Sequence, residues 1–231
     1  MNNTDFDAYK SGIRAAIRKV LSESESGRLD EAAFPAYSHP NPFINWLFWQ
    51  RLRKTMDAIE GDAPYRRILD FGCGSGVLLP FLGRVADSVI ALDVDVIPFE
   101  RMKACMDFPA NIEVHDLRSF PIERLPAASF DIVTALDVLE HVEDLSGTMT
   151  KLLRLLQPAG RLIVSGPTEN VFYKIGRRLA GREYTGDYHE RGVREIRQMA
   201  STYAGTKSIA TLYGPVPLFE IFSVTPIGSS S

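Results

Sequence analysis

From Arg66 to Pro167, short apolar runs of strand length alternate with segments of helical periodicity, and this alternation constrains the fold more than any other feature. "RILDF", "SVIALDV", "NIEVHDL", "SFDIVTALDV" and "RLIVSGP" read as strands built largely from aliphatic and β-branched residues. Between them, "SGVLLPFLGRV", "VIPFERMKACM" and "DLSGTMTKLLRLLQ" read as helices, the last with Leu145, Met149, Leu152 and Leu156 on one face. That helix is expected to stop before Pro158, with Gly160 turning the chain into the next strand. Strands joined through helices run parallel, and the helices then cover both faces of the sheet. Crossovers of this kind are right-handed.

The flanks read differently. Residues 5 to 21 predict a helix with Phe6, Ile13, Ile17 and Val20 or Leu21 as its rough stripe, followed by a "SESESGR" loop. "FPAYSHPNP" predicts a proline-rich bend, and Pro42 leads into a helix with Trp49, Leu52, Met56 and Ile59 on one side. Beyond Pro167, "TENVFYKIGRRLAGR" and "GVREIRQMASTYA" predict two consecutive helices, inserted at about 168–205. "SIATLYG" and "LFEIFSVTPI" then lie so close together that an antiparallel pair at the sheet edge is expected. These readings divide the chain into an N-terminal helical cap, 1–60, and an α/β domain, 61–231, that carries the helical insertion.

Bulk properties exclude several classes. A chain of 231 residues with 45% apolar and 24% charged content is an ordinary soluble globular composition, long enough for a sizeable core. The start, "MNNTDFDAYK", has no signal-peptide core, and no apolar run approaches the roughly 20 residues of a spanning helix. Two cysteines, Cys73 and Cys105, build no disulfide framework and fit a reducing, cytoplasmic setting. A net charge of −3 gives no general attraction to nucleic acid, and no nucleic-acid partner is expected.

The first strand ends in "LDFGCGSG", where Gly72, Gly74 and Gly76 alternate. Ligands of open parallel sheets bind beyond the carboxyl ends of the strands, and glycines there let a ligand approach the backbone. A P-loop is excluded because no Gly-Lys-Ser/Thr follows, and the spacing departs from the dinucleotide pattern G-x-G-x-x-G. Asp70, two positions before the first glycine, would repel a pyrophosphate and suits a cationic ligand. Asp93 ends the second strand, roughly 20 residues on, where an acid accepts ribose hydroxyls. Asp116 ends the third and suits an adenine amino group. A positively charged nucleoside without phosphate fits these acids, and S-adenosylmethionine is such a molecule.

In order, "ILDFGCGSG", "LDVD", "HDL", "FDIVTALDVLEHVED" and "LLRLLQPAGRLIVSGP" resemble the motifs of class I S-adenosylmethionine-dependent methyltransferases. The "LDVLEHV" form is similar to the quinone-biosynthesis (methyltransferase type 11) branch. The resemblance covers about residues 66 to 167 and implies a Rossmann-like class I fold. That fold has a seven-stranded, mostly parallel sheet with an antiparallel edge strand. It also implies roles: Asp70, Gly72 and Gly74, with Gly76 beside them, for the methionine end, and Asp93 for ribose. Asp116 and Leu117 would meet adenine, and the backbone at Leu136 would line the cofactor. S-adenosylhomocysteine would be the product. Cys73 reads as a small buried filler of the turn, not a nucleophile.

Candidates for the chemistry are spread along the chain. Asp137, Glu140 and His141 stand at i, i+3 and i+4, on one face if the segment is helical. Some relatives with Glu-x-x-Glu-His here hold a divalent metal; Asp137 at the first position argues against a metal in this chain. Tyr37, His39, Trp46 and Trp49 on the N-terminal side, with Thr168, Asn170, Tyr184, Tyr188 and His189 on the insertion side, are material for an acceptor pocket. His39, His189, His141 and Asp137 are the candidate catalytic groups, with loop hydrogen bonding as the alternative for the two loop histidines. Trp49 reads as packing core. "WLFWQRLRK" and "VFYKIGRRLAGR" mix aromatics with cations, a composition that suits either a lipophilic acceptor at a membrane surface or a solvated amphipathic face. The expected activity is methyl transfer to a small molecule, with oxygen favoured as the acceptor. Methylation of RNA or protein and non-catalytic cofactor binding are the alternatives, and an NAD enzyme ranks behind both.

Overall fold

The structure, a computed structural model, describes residues 2–23, 34–168, 192–212 and 217–226. Its strands form a seven-stranded mixed sheet, mostly parallel. The chain divides into two compact units, Met1–Arg124 and Leu125–Ser231.

The first unit opens with helix α1 (Asn3–Glu23), the short helix α2 (Phe34–Ser38) and helix α3 (Pro42–Glu60). Asn41 caps α3 by accepting from the Phe43 and Ile44 N–H groups at 2.9 and 3.3 Å, and Pro42 sits where the missing N–H costs nothing. The expected stripe is the buried one: Trp49, Leu52, Met56 and Ile59 are at most 1% exposed. Phe6 of α1 meets Trp49 edge-on, ring centroids 6.2 Å apart. Within "FPAYSHPNP", expected as a bend, the chain makes a helical turn instead. There the Ser38 hydroxyl returns to the Phe34 carbonyl at 2.7 Å and the buried Tyr37 draws the segment onto α3. Strands β1 (Tyr65–Phe71), β2 (Ala86–Asp93) and β3 (Ile112–Asp116) follow, with α4 (Leu79–Val85) and α5 (Ile97–Lys103) between them. They lie in the order β3-β2-β1, all parallel. Helix α4 starts at Leu79, four residues later than the apolar pattern suggests. The reason is local: Gly74 and Gly76 hold positive φ, which interrupts a right-handed helix.

The second unit contains β4 (Phe130–Leu136), α6 (Leu145–Leu155), β5 (Leu156–Pro167), α7 (Val193–Tyr203), β6 (Ala204–Leu212) and β7 (Phe219–Pro226). β5 runs parallel to β4, β7 antiparallel to β5, and β6 antiparallel to β7 on the outside, as the short link between the last two strands predicts. β5 begins at Leu156, ahead of Pro158, instead of after Gly160. Leu156 faces Phe130 but Arg161 faces Ile132, so residues 157–160 bulge out of the ladder and give Pro158 a place without a ladder N–H. A Cβ on Gly160 would stand 2.8 Å from the Phe130 carbonyl oxygen. The close backbone approach therefore requires glycine. Of the two helices expected in the insertion, the second is α7, which buries Val193, Ile196 and Ala200, while the first lies outside the described residues. Among the described residues no helix is long and apolar enough to cross a membrane.

Candidate functional site

In the first unit the carboxyl ends of β1, β2 and β3 are laced together by backbone amides. Leu92 O accepts both the Gly72 and the Cys73 N–H, at 2.7 and 3.2 Å, which ties the turn after β1 to β2. Gly72, Gly74 and Gly76 carry φ of 78°, 53° and 76°, angles that a side chain would resist. The Gly74 N–H donates to Asp93 Oδ2 at 2.7 Å, and the Asp95 N–H to Asp93 Oδ1 at 3.0 Å. Asp93 O in turn accepts from the Leu117 N–H at 2.8 Å. In register Asp93 lies opposite Asp116, whose Oδ1 accepts the Arg118 N–H at 2.8 Å. Asp70 sits one residue before the end of β1 and is 4% exposed.

Asp70, Asp93 and Asp116 thus stand at one end of three adjacent parallel strands. This donor set is anionic and acceptor-rich, so it fits a ligand that presents ammonium, hydroxyl and amino donors and repels a phosphate. The Asp93 carboxylate has more acceptor sites than the two backbone amides use, so it can serve the turn and a ligand together. Two expected contacts look different in three dimensions. The Leu117 N–H is already given to Asp93 O, which leaves the carboxylate of Asp116 as the polar group at that strand end. The space that a Cβ would need at Gly76 is occupied by Phe99 and Leu79, the nearest atom at 2.8 Å, so this glycine serves packing against α5.

Burial, followed by the Asp70 and Asp93 charges, pushes the Cys73 thiol well above its ordinary range, so it stays protonated and unreactive. Sequence reasoning missed Val94 and Ile97, which are 56% and 58% exposed immediately after Asp93. Their signal was present, two large apolar side chains beside a strand-end acid, a suitable wall for a planar base. Ser75 Oγ in the turn is buried and has no hydrogen-bond partner among the described residues.

The N-terminal candidates separate. Tyr37 is core: its hydroxyl accepts from Arg51 Nη2 at 2.7 Å and its carbonyl from Asn45 Nδ2 at 2.6 Å. Trp49 is fully buried, as expected of packing, whereas Trp46 is 41% exposed and stacks on the equally exposed Phe43, centroids 6.0 Å apart. His39 Nδ1 accepts the Asn41 N–H at 3.0 Å, a loop hydrogen bond that leaves Nε2 for other work.

In the second unit, Leu136 ends β4 and is half-buried. Asp137 follows with φ of 52°, held by its N–H to Ser165 O at 3.0 Å and by the Ser165 hydroxyl on its Oδ1 at 2.9 Å. Only Leu139–His141 is helical, as a single 3₁₀ turn, so Asp137 lies outside it and the shared helical face with Glu140 and His141 does not form. Glu140 is buried and His141 exposed. Partial burial of the imidazole lowers the His141 pKa, which keeps the ring neutral at pH 7. The Thr168 hydroxyl is spent on the Pro217 carbonyl, and its N–H on Leu218 O at 3.0 Å, so it pins the start of β7. Asn170, Tyr184, Tyr188 and His189 lie outside the described residues. Among the described residues no cluster of His, Cys, Asp and Glu is arranged to hold a metal.

Comparison with known proteins bears on the family and the fold. A family model described as a methyltransferase domain matches residues 34–204. The ubiquinone biosynthesis O-methyltransferase of Acinetobacter baylyi is 30% identical over 163 residues, covering 65% of this chain and 63% of that protein. The chain thus spans less than two thirds of the length of that relative. A protein of Pyrococcus horikoshii superposes with a TM-score of 0.61 at 17% identity, covering 84% of this chain and 96% of its own. Magnesium protoporphyrin IX methyltransferase of Synechocystis, solved with bound S-adenosylhomocysteine, gives 0.56 at 17% identity over 95% and 97% of the two chains. At that identity the structural likeness speaks for the fold.

Proposed function

The chain belongs to the methyltransferase domain family, and from that premise we propose that it transfers a methyl group from S-adenosylmethionine to an oxygen of a small, lipophilic acceptor. The observation that carries this reading is the row of strand-end carboxylates, Asp70, Asp93 and Asp116, tied to a glycine turn by the Gly74–Asp93 hydrogen bond. In this reading Asp70 with the Gly72 and Gly74 backbone takes the ammonium end. Asp93 accepts ribose hydroxyls, Asp116 the adenine amine, and Val94 and Ile97 cover the base.

The cofactor supplies an activated methyl on a sulfonium, so the difficulty of the reaction lies outside the protein's own functional groups. What remains for the chain is to hold the acceptor in line and to take its proton. His141, in the turn that follows the carboxyl end of β4, is the proposed proton acceptor, and the lowered pKa of its partly buried ring favours the neutral form that can accept. His39 is the second choice, and it would have to release the Asn41 N–H first, because while Nδ1 accepts that bond the neutral ring carries its proton on Nε2. Oxygen as the acceptor atom is supported by the name of the Acinetobacter relative. The exposed Phe43–Trp46 stack supports a lipophilic acceptor reached at a membrane surface. The two free cysteines are in keeping with a cytoplasmic setting.

The test is calorimetric titration with S-adenosylhomocysteine and, separately, NADH, followed by transfer of labelled methyl to a panel of phenolic acceptors. Micromolar binding of the first ligand alone, with label appearing on a phenol, is the expected result. Label on RNA or protein instead would overturn the acceptor class, and binding of NADH would overturn the cofactor.

A further inference from the structure

Helix α1 contributes one polar atom to the glycine turn, across 68 residues of sequence. Tyr9 stands three residues after Phe6 and four before Ile13, at the half-buried edge of the stripe that α1 buries. Its hydroxyl donates to the carbonyl of Val77, the residue immediately after Gly76. The Arg84 guanidinium of α4 lies over the same ring, 5.6 Å from its centroid. The backbone around this carbonyl is otherwise directed elsewhere: Gly76 N–H goes to Cys73 O, Leu79 N–H to Gly76 O and Phe81 N–H to Leu78 O. Burial of the hydroxyl pushes the phenol pKa up, so it remains a donor throughout the neutral and alkaline range.

A turn containing three glycines at positive φ has much conformational freedom to lose when it closes on a ligand. A tether that orders the turn beforehand lowers that loss and raises affinity without touching the ligand. We propose that Tyr9 is a positioning residue for the cofactor, and that docking of α1 sets how tightly the glycine turn binds it. A phenylalanine would fill the same space, and only the hydroxyl reaches Val77. This inference rests on the cofactor reading given above.

The experiment compares wild type, Tyr9→Phe and Asp93→Ala by titration with S-adenosylhomocysteine and by steady-state methyl transfer. Tyr9→Phe is expected to raise the Kd and the KM for S-adenosylmethionine about 3- to 10-fold while kcat and the acceptor KM hold. A purely structural role would lower the amount of active protein, and so kcat, without this split. A Tyr9→Phe Kd within about twofold of wild type, with Asp93→Ala still weakened, overturns the proposal and leaves the cofactor reading standing. If neither variant changes the Kd, the cofactor reading itself fails. The wild type supplies a second readout should Tyr9→Phe not fold. Coupling is reciprocal, so S-adenosylhomocysteine must slow hydrogen exchange in α1 as well as in the turn. Protection confined to the turn overturns the proposal.

Discussion

Asp93→Ala removes a carboxylate that holds two backbone amides, so its effect divides into a cost to the fold and a cost to binding. The Gly74 N–H at 2.7 Å and the Asp95 N–H at 3.0 Å lose charge-assisted bonds, each worth about 1.5–3 kcal/mol at most. Gly74 is half-buried and Asp95 exposed, and water replaces the carboxylate at both, so the loss of stability should come to roughly 1–3 kcal/mol. Loss of the ribose contacts adds a further cost of about 1.5–3 kcal/mol, a 10- to 150-fold weaker Kd for S-adenosylhomocysteine. Asp93→Asn separates the two terms. Its single carbonyl can still accept from Gly74 but cannot also accept a second ribose hydroxyl, so stability should recover more than affinity. Urea denaturation gives the first term and calorimetry on the folded variants the second. An Asp93→Ala protein that is destabilised yet binds with unchanged Kd would show Asp93 to be only a strut for the turn. The placement of ribose would then be wrong.

Gly76→Ala should lower stability by roughly 2–4 kcal/mol, since alanine meets both positive φ and the Phe99 ring at 2.8 Å, and the urea midpoint should fall with m unchanged. His141 has a pKa below its ordinary 6.5 in the folded chain because of burial, so below that pH the unfolded chain binds the extra proton. The stability this confers is complete above about 6.5 and drains away as pH falls. His141→Gln should therefore narrow the gap between urea midpoints at pH 7.5 and 5.5, and an unchanged gap refutes the burial assigned to the ring. Cys73, protonated and buried, should resist iodoacetamide in the folded protein while the half-buried Cys105 reacts, a difference that mass spectrometry reads and that urea abolishes.

Much of the candidate site could be read before any coordinates. The glycine spacing, the acids closing three consecutive strands and the stripes of α3 and α6 follow from periods of 2 and 3.6 and from the φ that glycine permits. All of these are properties of a few neighbouring residues. Boundaries were less legible where a neighbour outbid local preference. β5 starts ahead of Pro158 because β4 offers a ladder on both sides of a bulge, and α2 forms in a proline-rich stretch because Tyr37 gains a buried place on α3. The expected face of Asp137, Glu140 and His141 failed for a related reason. Ser165 on the adjacent strand holds Asp137 at φ 52° before any helix can include it.

The sequence by itself determined the fold class and singled out the strand-end glycines and acids of the candidate site. The alternation of strands and helices, the glycines and the acids are all written locally. Only the tertiary structure decided what each group is already doing. It showed that Asp93, expected to accept ribose hydroxyls, also holds the glycine turn and that Leu117 has spent its amide. It also left Val94 and Ile97 uncovered, and brought Tyr9 to Val77 from 68 residues away. A hydrogen bond between distant residues leaves no periodic trace in a chain, because its partner is chosen by packing and not by spacing.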